Sequence, residues 1–362
     1  MNITFISTGS RIDVFPPTKG GIEILEFDLI KELKKRGNTV QLFASKSELE
    51  NSIEIGSNIS FDRIHNFYSM VNCWKKKSLV QGEILHCHYP LTAYPFLGKP
   101  LVYSEHNWYN LPKAKYHKTL FTPMFSFFQQ KVYEKADRII ALSSEIKEII
   151  QEKIPERKNK VVFIPNFVDS GIFVPAKKQE NKILFVGRLD KEKNLEMLIE
   201  VLGELKNKFD FELEVIGEGP ERKKLESQAK KAGIKCNFFG FVSHKELAFF
   251  FSTASVFVLP SFFEVMPVVV LEAMSSGCAV IASNAFGIKD QIDSGKNGLV
   301  FKKGKKEELK NHLIDLLSSS TLCSSFGSKA REKVLKEFDV KVIAEKTEKL
   351  YREVLEERKQ KA

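Results

Sequence analysis

The sequence predicts a doubly wound α/β fold repeated in two domains, and three observations carry that expectation. Short β-branched runs alternate with amphipathic helical stretches, the pattern of a parallel sheet covered by helices on both faces. The length, 362 residues, is about twice that of a common domain. The alternation breaks over Asn166 to Asn181, where Gly171, Pro175 and a polar run from Lys177 read as a linker, and then restarts. The expected domains are residues 1–168 and 169–338, with residues 339–362 forming a helix that crosses back onto the first domain.

Taken in order, Asn2 to Ser7 reads as a strand and is followed by a loop holding Gly9, Pro16, Pro17, Gly20 and Gly21. Ile22, Leu25, Phe27, Leu29, Ile30 and Leu33 give the stretch from Ile22 to Lys35 an apolar spacing that suits a helix, and Gly37 ends it. Thr39–Ala44, Glu83–His88, Pro100–Ser104, Arg138–Leu142 and Val161–Pro165 have strand composition, and an aromatic helix from Thr122 to Lys135 precedes the Arg138 strand. Further strands are expected at Lys182–Val186, Phe211–Ile216, Cys236–Phe239, Val256–Leu259, Ala279–Ala282 and Gly298–Phe301. Between and after them, helices are expected at Asn194–Asn207, Pro220–Ala232, Ser243–Thr253, from Pro267 onward, and at Lys306–Leu317. Val340 to Lys359 is a charged helix with apolar residues at Val342, Ile343, Leu350, Tyr351 and Leu355.

Composition narrows the function. Hydrophobic residues make up 43% and charged residues 28%, ordinary globular usage that argues against disorder, collagen-like repeats or a disulfide scaffold. The net charge of +10 is spread evenly, with 23 basic and 18 acidic residues up to Asp169 and 33 and 28 beyond it. A nucleic-acid binder concentrates its basic residues, so no nucleic-acid partner is expected. Five cysteines without a Cys-x-x-Cys pairing fit a reducing cytoplasm and indicate neither a disulfide framework nor a cysteine zinc site. The start of the chain lacks the basic and apolar regions of a signal peptide, and no apolar run approaches the ~20 residues of a membrane span.

In open parallel sheets, ligands bind beyond the C-terminal ends of the strands. Gly20-Gly21, just before a helix, suits close approach of an anion, and equally suits a tight turn. Glu264 stands in the loop after one strand, and Glu272 eight positions later lies inside the second turn of a helix starting near Pro267. Two acceptor-only carboxylates there suit sugar hydroxyls or a ribose diol, or else one caps the helix and one is solvated. Gly187-Arg188-Leu189-Asp190 with Lys193 and Asn194 places a guanidinium fork and an ammonium where they can neutralise a diphosphate. Gly217-Glu218-Gly219-Pro220 repeats the strand, glycine loop, helix arrangement. His86 and His88 share one strand face, and His106 ends the next strand, with nothing to fix a zinc geometry. No Asp-x-Asp occurs, so the usual carboxylate pair for a nucleotide-bound metal is missing. Trp74 before Lys75-Lys76-Lys77, and Trp108 and Tyr109 among Lys113, Lys115 and Lys118, read either as a contact for an anionic membrane or lipid-linked acceptor or as solvated loop.

In their order and spacing these motifs resemble the retaining glycosyltransferases of family 4, which have the GT-B fold. The resemblance runs through Gly20-Gly21-Ile22-Glu23, His86-Cys87-His88, Glu105-His106, Ala136 to Ser143 and Pro165-Asn166-Phe167-Val168-Asp169. It continues through Val186-Gly187-Arg188-Leu189, Lys193-Asn194, Gly217 to Pro220, Phe239-Gly240-Phe241-Val242, Pro260-Ser261, Glu264, Glu272-Ala273-Met274 and Gly277. It implies two Rossmann-like domains facing a cleft, a nucleotide-sugar donor held mainly by the second and a glycan or lipid-linked acceptor by the first. It also implies no cofactor and no essential metal. Arg188 and Lys193 match the pair on the donor diphosphate, with the glycines Gly20, Gly21 and Gly187 beside the donor. Glu264 matches the glutamate on the sugar hydroxyls and Glu272 the one on the ribose, while Val242 faces the base, Met266, Pro267 and Val268 the sugar and phosphates, and His106 the reacting sugar. His106, Glu264, Arg188 and Lys193 are the catalytic candidates. Two departures stand out: Val265 occupies a position usually small, and the matching glycine loop of the second domain reads Phe286-Gly287-Ile288-Lys289-Asp290. The competing expectations are a GT-B sugar-nucleotide epimerase and a non-catalytic nucleotide-sugar-binding protein.

Overall fold

The structure is a computed structural model that describes residues 1–7, 14–15, 21–56, 62–106 and 122–361, with the backbone alone for 14–15 and 62–66. The chain divides into two units, Met1–Pro165 together with Val340–Ala362, and Asn166–Asp339.

The first unit contains β1 (Asn2–Ile6), β2 (Val14–Phe15), α1 (Gly21–Lys35), β3 (Thr39–Ala44), β4 (Lys46–Ser47), β5 (Ser52–Glu54), α2 (Asp62–Lys75), β6 (Ile84–Cys87), α3 (Pro90–Ala93) and β7 (Leu101–Glu105). It continues with α4 (Thr122–Lys135), β8 (Arg138–Ala141), α5 (Ser144–Lys153) and β9 (Val161–Phe163). Seven parallel strands run in the order β5-β3-β1-β6-β7-β8-β9, and β2 pairs with β4 separately. The strands β6, β7 and β8 are buried along their whole length, as a parallel sheet covered on both faces requires.

The second unit contains β10 (Gln179–Val186), α6 (Leu195–Leu205), β11 (Glu212–Ile216), α7 (Arg222–Ala232), β12 (Cys236–Gly240), α8 (His244–Thr253) and β13 (Ala254–Leu259). It continues with α9 (Val268–Ser275), β14 (Ala279–Ser283), α10 (Ile288–Gln291), β15 (Leu299–Phe301), α11 (Lys306–Leu317) and α12 (Ser320–Lys333). Its six parallel strands run β12-β11-β10-β13-β14-β15. Phe185, Leu198, Leu202, Val215, Val258 and Ile281 form part of one buried core between sheet and helices.

The last helix, α13 (Val340–Lys361), belongs to the first unit. Its stripe of Ile343, Ala344, Leu350, Tyr351 and Val354 is buried. Its polar flanks pair with the same unit: Arg36 Nε lies 2.9 Å from Glu348, Lys160 Nζ 2.7 Å from Glu357, and Arg358 Nε 2.8 Å from Asp137.

Sequence and structure differ mainly in helices that lack a wide apolar stripe. Helices α2, α5 and α12 were not expected, and the stretch read as a linker already holds the first residues of β10, from Gln179.

Candidate functional site

In a sheet of this topology the strand order reverses where β10 lies beside both β11 and β13. A crevice forms at the C-terminal end of such a switch point. The loops leaving it are 187–194 after β10 and 260–267 after β13, and they are tied together. Phe262 N donates to Glu192 O at 2.7 Å and Asn194 Nδ2 to Pro260 O at 3.3 Å. Asn194 sits at φ 52°, a left-handed conformation that asparagine tolerates. Asp190 Oδ1 accepts from the amides of Glu192 (3.0 Å) and Lys193 (3.2 Å), which fixes the turn that presents Lys193.

The next loop approaches as closely as backbone permits. Gly217 has φ +135°, and a Cβ there would stand 1.9 Å from Gly187 O. Gly217 N donates to Gly240 O at 2.8 Å and Leu189 N to Glu218 O at 2.9 Å, so the loops after β10, β11 and β12 form one hydrogen-bonded floor.

Charge is concentrated on that floor. Glu264 is buried and accepts from Lys193 Nζ at 2.6 Å. Arg188 is the open cation, its side chain 72% exposed and 3.5 Å from Asp190. Glu272, also buried, lies in the second turn of α9. His244 Nε2 is 3.3 Å from Glu272 Oε1, while Oε2 is buried with no protein hydrogen-bond partner. Such an atom is costly unless a ligand or water supplies a donor.

Helix α9 begins with Val268-Val269-Val270, a β-branched run of low helix propensity. Burial sustains it, because Val270, Leu271, Ala273 and Met274 are all fully enclosed. Pro267 offers no side-chain cap; Val270 N turns back to Pro267 O at 3.2 Å, and the amides of Val268 and Val269 remain for an anion. Asn166 Nδ2 donates to Met266 O at 2.8 Å and Gln291 Nε2 to Pro267 O at 2.9 Å, which hold the approach to that helix. Gly287, at φ +75°, packs so that a Cβ would meet Val265 O at 2.3 Å, which braces the Glu264 loop from behind.

The structure therefore gathers Gly187, Arg188, Lys193, Glu264, Met266, Pro267, Val268 and Glu272 around the loops at one end of the second sheet, with Val242 just past β12. Gly187 is not sterically forced, since a Cβ there would lie 3.6 Å from Phe185 Cζ. Asp190, Asn194 and His244 were not singled out as site residues from sequence. The only local signal was the Asp190-to-Asn194 spacing, since the His244 contact spans 28 residues. A cavity of about 860 Å³ lined by Pro175, Lys178, Gly277, Cys323 and Arg331 lies at the opposite strand ends and contains none of these residues.

In the first unit, Gly21 opens α1, and a Cβ there would meet open space. Gly20 and the Trp108 to Lys118 segment lie outside the described residues. His106 belongs to a histidine cluster, with its Nε2 3.0 Å from His88 Nδ1. His86 bonds Tyr351 Oη of α13 through Nδ1 at 2.5 Å and Ser104 Oγ through Nε2 at 2.7 Å. Burial drives all three imidazoles toward the neutral form, lowering His86 to about 3, His106 to about 4 and His88 well below its ordinary value. Glu105 accepts from Gln129 Nε2 at 2.6 Å and from the Tyr133 hydroxyl.

Two Rossmann-like units, the second with this floor of cations, carboxylates and an uncapped helix, have the GT-B fold of glycosyltransferases. Residues 19–171 match the family described as Glycosyltransferase Family 4 and residues 172–333 the one described as Glycosyl transferases group 1. The chain belongs to the family-4 type of GT-B glycosyltransferases. Sulfoquinovosyl transferase SQD2 of Arabidopsis thaliana is 37% identical over 154 residues, covering 42% of this chain and 29% of that protein. Alpha-monoglucosyldiacylglycerol synthase of Acholeplasma laidlawii is 28% identical over 179 residues, covering 49% and 44%. The matched stretches thus span less than half of these relatives. Sucrose-phosphate synthase from Thermosynechococcus elongatus shares the fold at a TM-score of 0.82 and 21% identity, over 98% of this chain and 99% of that one. Anabaena HepE in complex with UDP and glucose does so at 0.76 and 17%, over 98% and 100%. These matches favour neither the epimerase nor the non-catalytic binder.

Proposed function

We propose that the chain is a retaining, metal-independent hexosyltransferase that uses a UDP- or GDP-sugar and a glycan or lipid-linked acceptor. The observation that carries this reading is the pair of buried glutamates, one held by Lys193 and the other with an unpartnered oxygen, beside the exposed Arg188 and the open α9 N-terminus. Glu272 Oε2 takes a ribose hydroxyl. Arg188, Lys193 and the α9 amides neutralise the diphosphate as it departs, a preorganised arrangement that stabilises developing charge where a metal would otherwise do so. Lys193 exchanges Glu264 for the diphosphate when the donor arrives, and the released carboxylate accepts a sugar hydroxyl. The departing diphosphate takes the acceptor proton, with attack on the face it leaves.

HepE, which was solved in complex with UDP and glucose, and the Acholeplasma relative, a synthase of a monoglucosyldiacylglycerol, support the donor and acceptor classes. Among the described residues no helix is long and apolar enough to cross a membrane. Trp74, 62% exposed with Lys77 Nζ 5.5 Å from its ring centre, gives the first unit a peripheral contact for an anionic membrane surface on the cytoplasmic face. Sedimentation with anionic vesicles at low salt checks this contact, and its absence from vesicles of every charge refutes it.

The decisive experiment is donor hydrolysis across a panel of nucleotide sugars, with and without a chelator, followed by the anomeric configuration of the transferred sugar. Turnover that survives chelation with retained configuration is expected. No binding or turnover with any donor refutes the proposal.

A further inference from the structure

The histidine cluster holds a hydrogen-bond order that its geometry resolves. His88 Nδ1 and His106 Nε2 are 3.0 Å apart, and both rings are neutral, so one proton lies between them. Its owner is set from the other side of His88, where Nε2 faces Glu26 Oε1 at 3.9 Å, too far for a hydrogen bond but within the field of a buried carboxylate. The Glu26 side chain is buried, and its second oxygen takes the Ser7 hydroxyl proton. A carboxylate is acceptor-only, so the N–H rather than the lone pair of His88 Nε2 faces it. His88 Nδ1 is then bare, and the proton between the rings belongs to His106 Nε2. The His88 ring is clamped in that orientation, with the His86 ring stacked at 4.5 Å and 26° and the Phe5 ring at 6.1 Å and 15°. His86 is itself bonded at both nitrogens.

We infer that Glu26 and His88 are positioning residues that fix His106 as the Nε2–H tautomer, leaving His106 Nδ1 as an acceptor for a substrate hydroxyl. His106 is the only one of the three rings with partial exposure, and among the described residues nothing else hydrogen-bonds to it. A bare Nδ1 attracts an O–H and repels phosphate or carboxylate oxygen, so His106 selects for a hydroxyl of the sugar or the acceptor. This deepens the proposed transfer reaction and rests on it for the identity of that hydroxyl.

The test is long-range ¹H–¹⁵N correlation on the full chain labelled at histidine nitrogen, a measurement that needs no substrate. The expected spectrum shows His88 and His106 both protonated at Nε2 and bare at Nδ1. His106 protonated at Nδ1 overturns the inference, whatever the transfer assays show, and failure of every donor to react leaves the tautomer result standing. In Glu26→Gln, whose amide donates as readily as it accepts, a second tautomer of His106 should appear, and an unchanged spectrum removes Glu26 from the chain. His88→Leu should lower kcat by about 10- to 100-fold with donor KM within about twofold, and His88→Asn, which keeps an acceptor near Nδ1, should regain part of that loss. Equal kcat in the two variants overturns the role of His88.

Discussion

The contact between Lys193 and Glu264 sets a free energy that can be measured apart from catalysis. In Lys193→Met the ammonium is lost while the apolar stem is kept, and Glu264 is left as a buried carboxylate without its cation. The Glu264 side chain is 8% exposed and that of Lys193 21%, with 2.6 Å between the charged atoms. Removing one partner of a fully buried pair costs about 3–5 kcal/mol, and a hydrogen bond to a charged group contributes about 1.5–3. Because water reaches a fifth of the lysine side chain, the expected loss lies below the fully buried range, about 2–3 kcal/mol. Glu264→Gln keeps a neutral acceptor and should cost about 1 kcal/mol. The double variant should be more stable than additivity allows. Far-UV circular dichroism during urea unfolding follows the helices and sheets of both units, and the shift is expected in the part of its transition that tryptophan emission does not share. Both tryptophans, Trp74 and Trp108, lie in the first unit, so their emission is an internal control that should not move. Activity is a separate reading: kcat/KM of Lys193→Met should fall by roughly 100- to 1,000-fold, the loss expected when one stabiliser of developing charge is removed. A stability change within about 0.5 kcal/mol would refute the buried pair. A kcat/KM within tenfold of the parent would place the neutralising charge elsewhere.

Other variants separate the floor of the site from its ligand contacts. Gly217→Ala drives a Cβ into Gly187 O from a positive φ and should cost at least about 3 kcal/mol or abolish soluble expression. Gly187→Ala has room and should fold normally, so any loss of donor binding by calorimetry then reports the ligand itself. Glu272→Gln keeps an acceptor for His244 but weakens the ribose contact. Affinity for UDP or GDP should fall about tenfold by titration, with unfolding unchanged, and undiminished affinity counts against the assignment. For acid stability, the folded protein holds His86 neutral down to about pH 3, whereas the unfolded chain protonates it near 6.5. The unfolded state therefore binds the extra proton between those values, and His86 should contribute a fall of about 1.4 kcal/mol per pH unit in unfolding free energy as pH drops through that window, beside the falls that the buried His88 and His106 add. His86→Asn should flatten this slope in urea titrations at pH 7 and 5, and an equally steep slope in the variant excludes His86 as its source.

Chemistry was more legible in the sequence than contact, and the reason is the range over which each is written. Strands of a parallel sheet covered on both faces must be apolar nearly throughout, so β6, β8, β13 and β14 announced themselves as short continuous runs. Helix α5 buries only Ile146 and Ile150, one stripe position per turn, and its firmest local signal was Ser143, whose side chain caps the helix at Ile146 N. Helix α12 escaped for a different reason. Part of its packing surface is an absence of side chain, at Gly327, where a Cβ would stand 2.2 Å from Gly277 O. A hydrophobic count registers no signal there, because the contact is between backbones.

The site divides in the same way. Arg188, Lys193, Glu264 and Glu272 were readable because each carries a charge in the loop or helix that follows a strand, and their placement follows from the strand order. Which of them would touch was not readable, since Lys193 and Glu264 are 71 residues apart. The resemblance gave Lys193 to the diphosphate and Glu264 to the sugar, but in the structure the two pair with each other, which makes chemical sense of burying the carboxylate. The histidine cluster depends on still longer range, because Tyr351 reaches His86 across 265 residues. Tyr351 stood out in the sequence only as an apolar position of a charged helix. Its buried ring serves that packing, while its hydroxyl bonds His86 Nδ1 and so holds the ring that stacks on His88. One residue thus carries a structural role legible from periodicity and a chemical role that only the folded register creates.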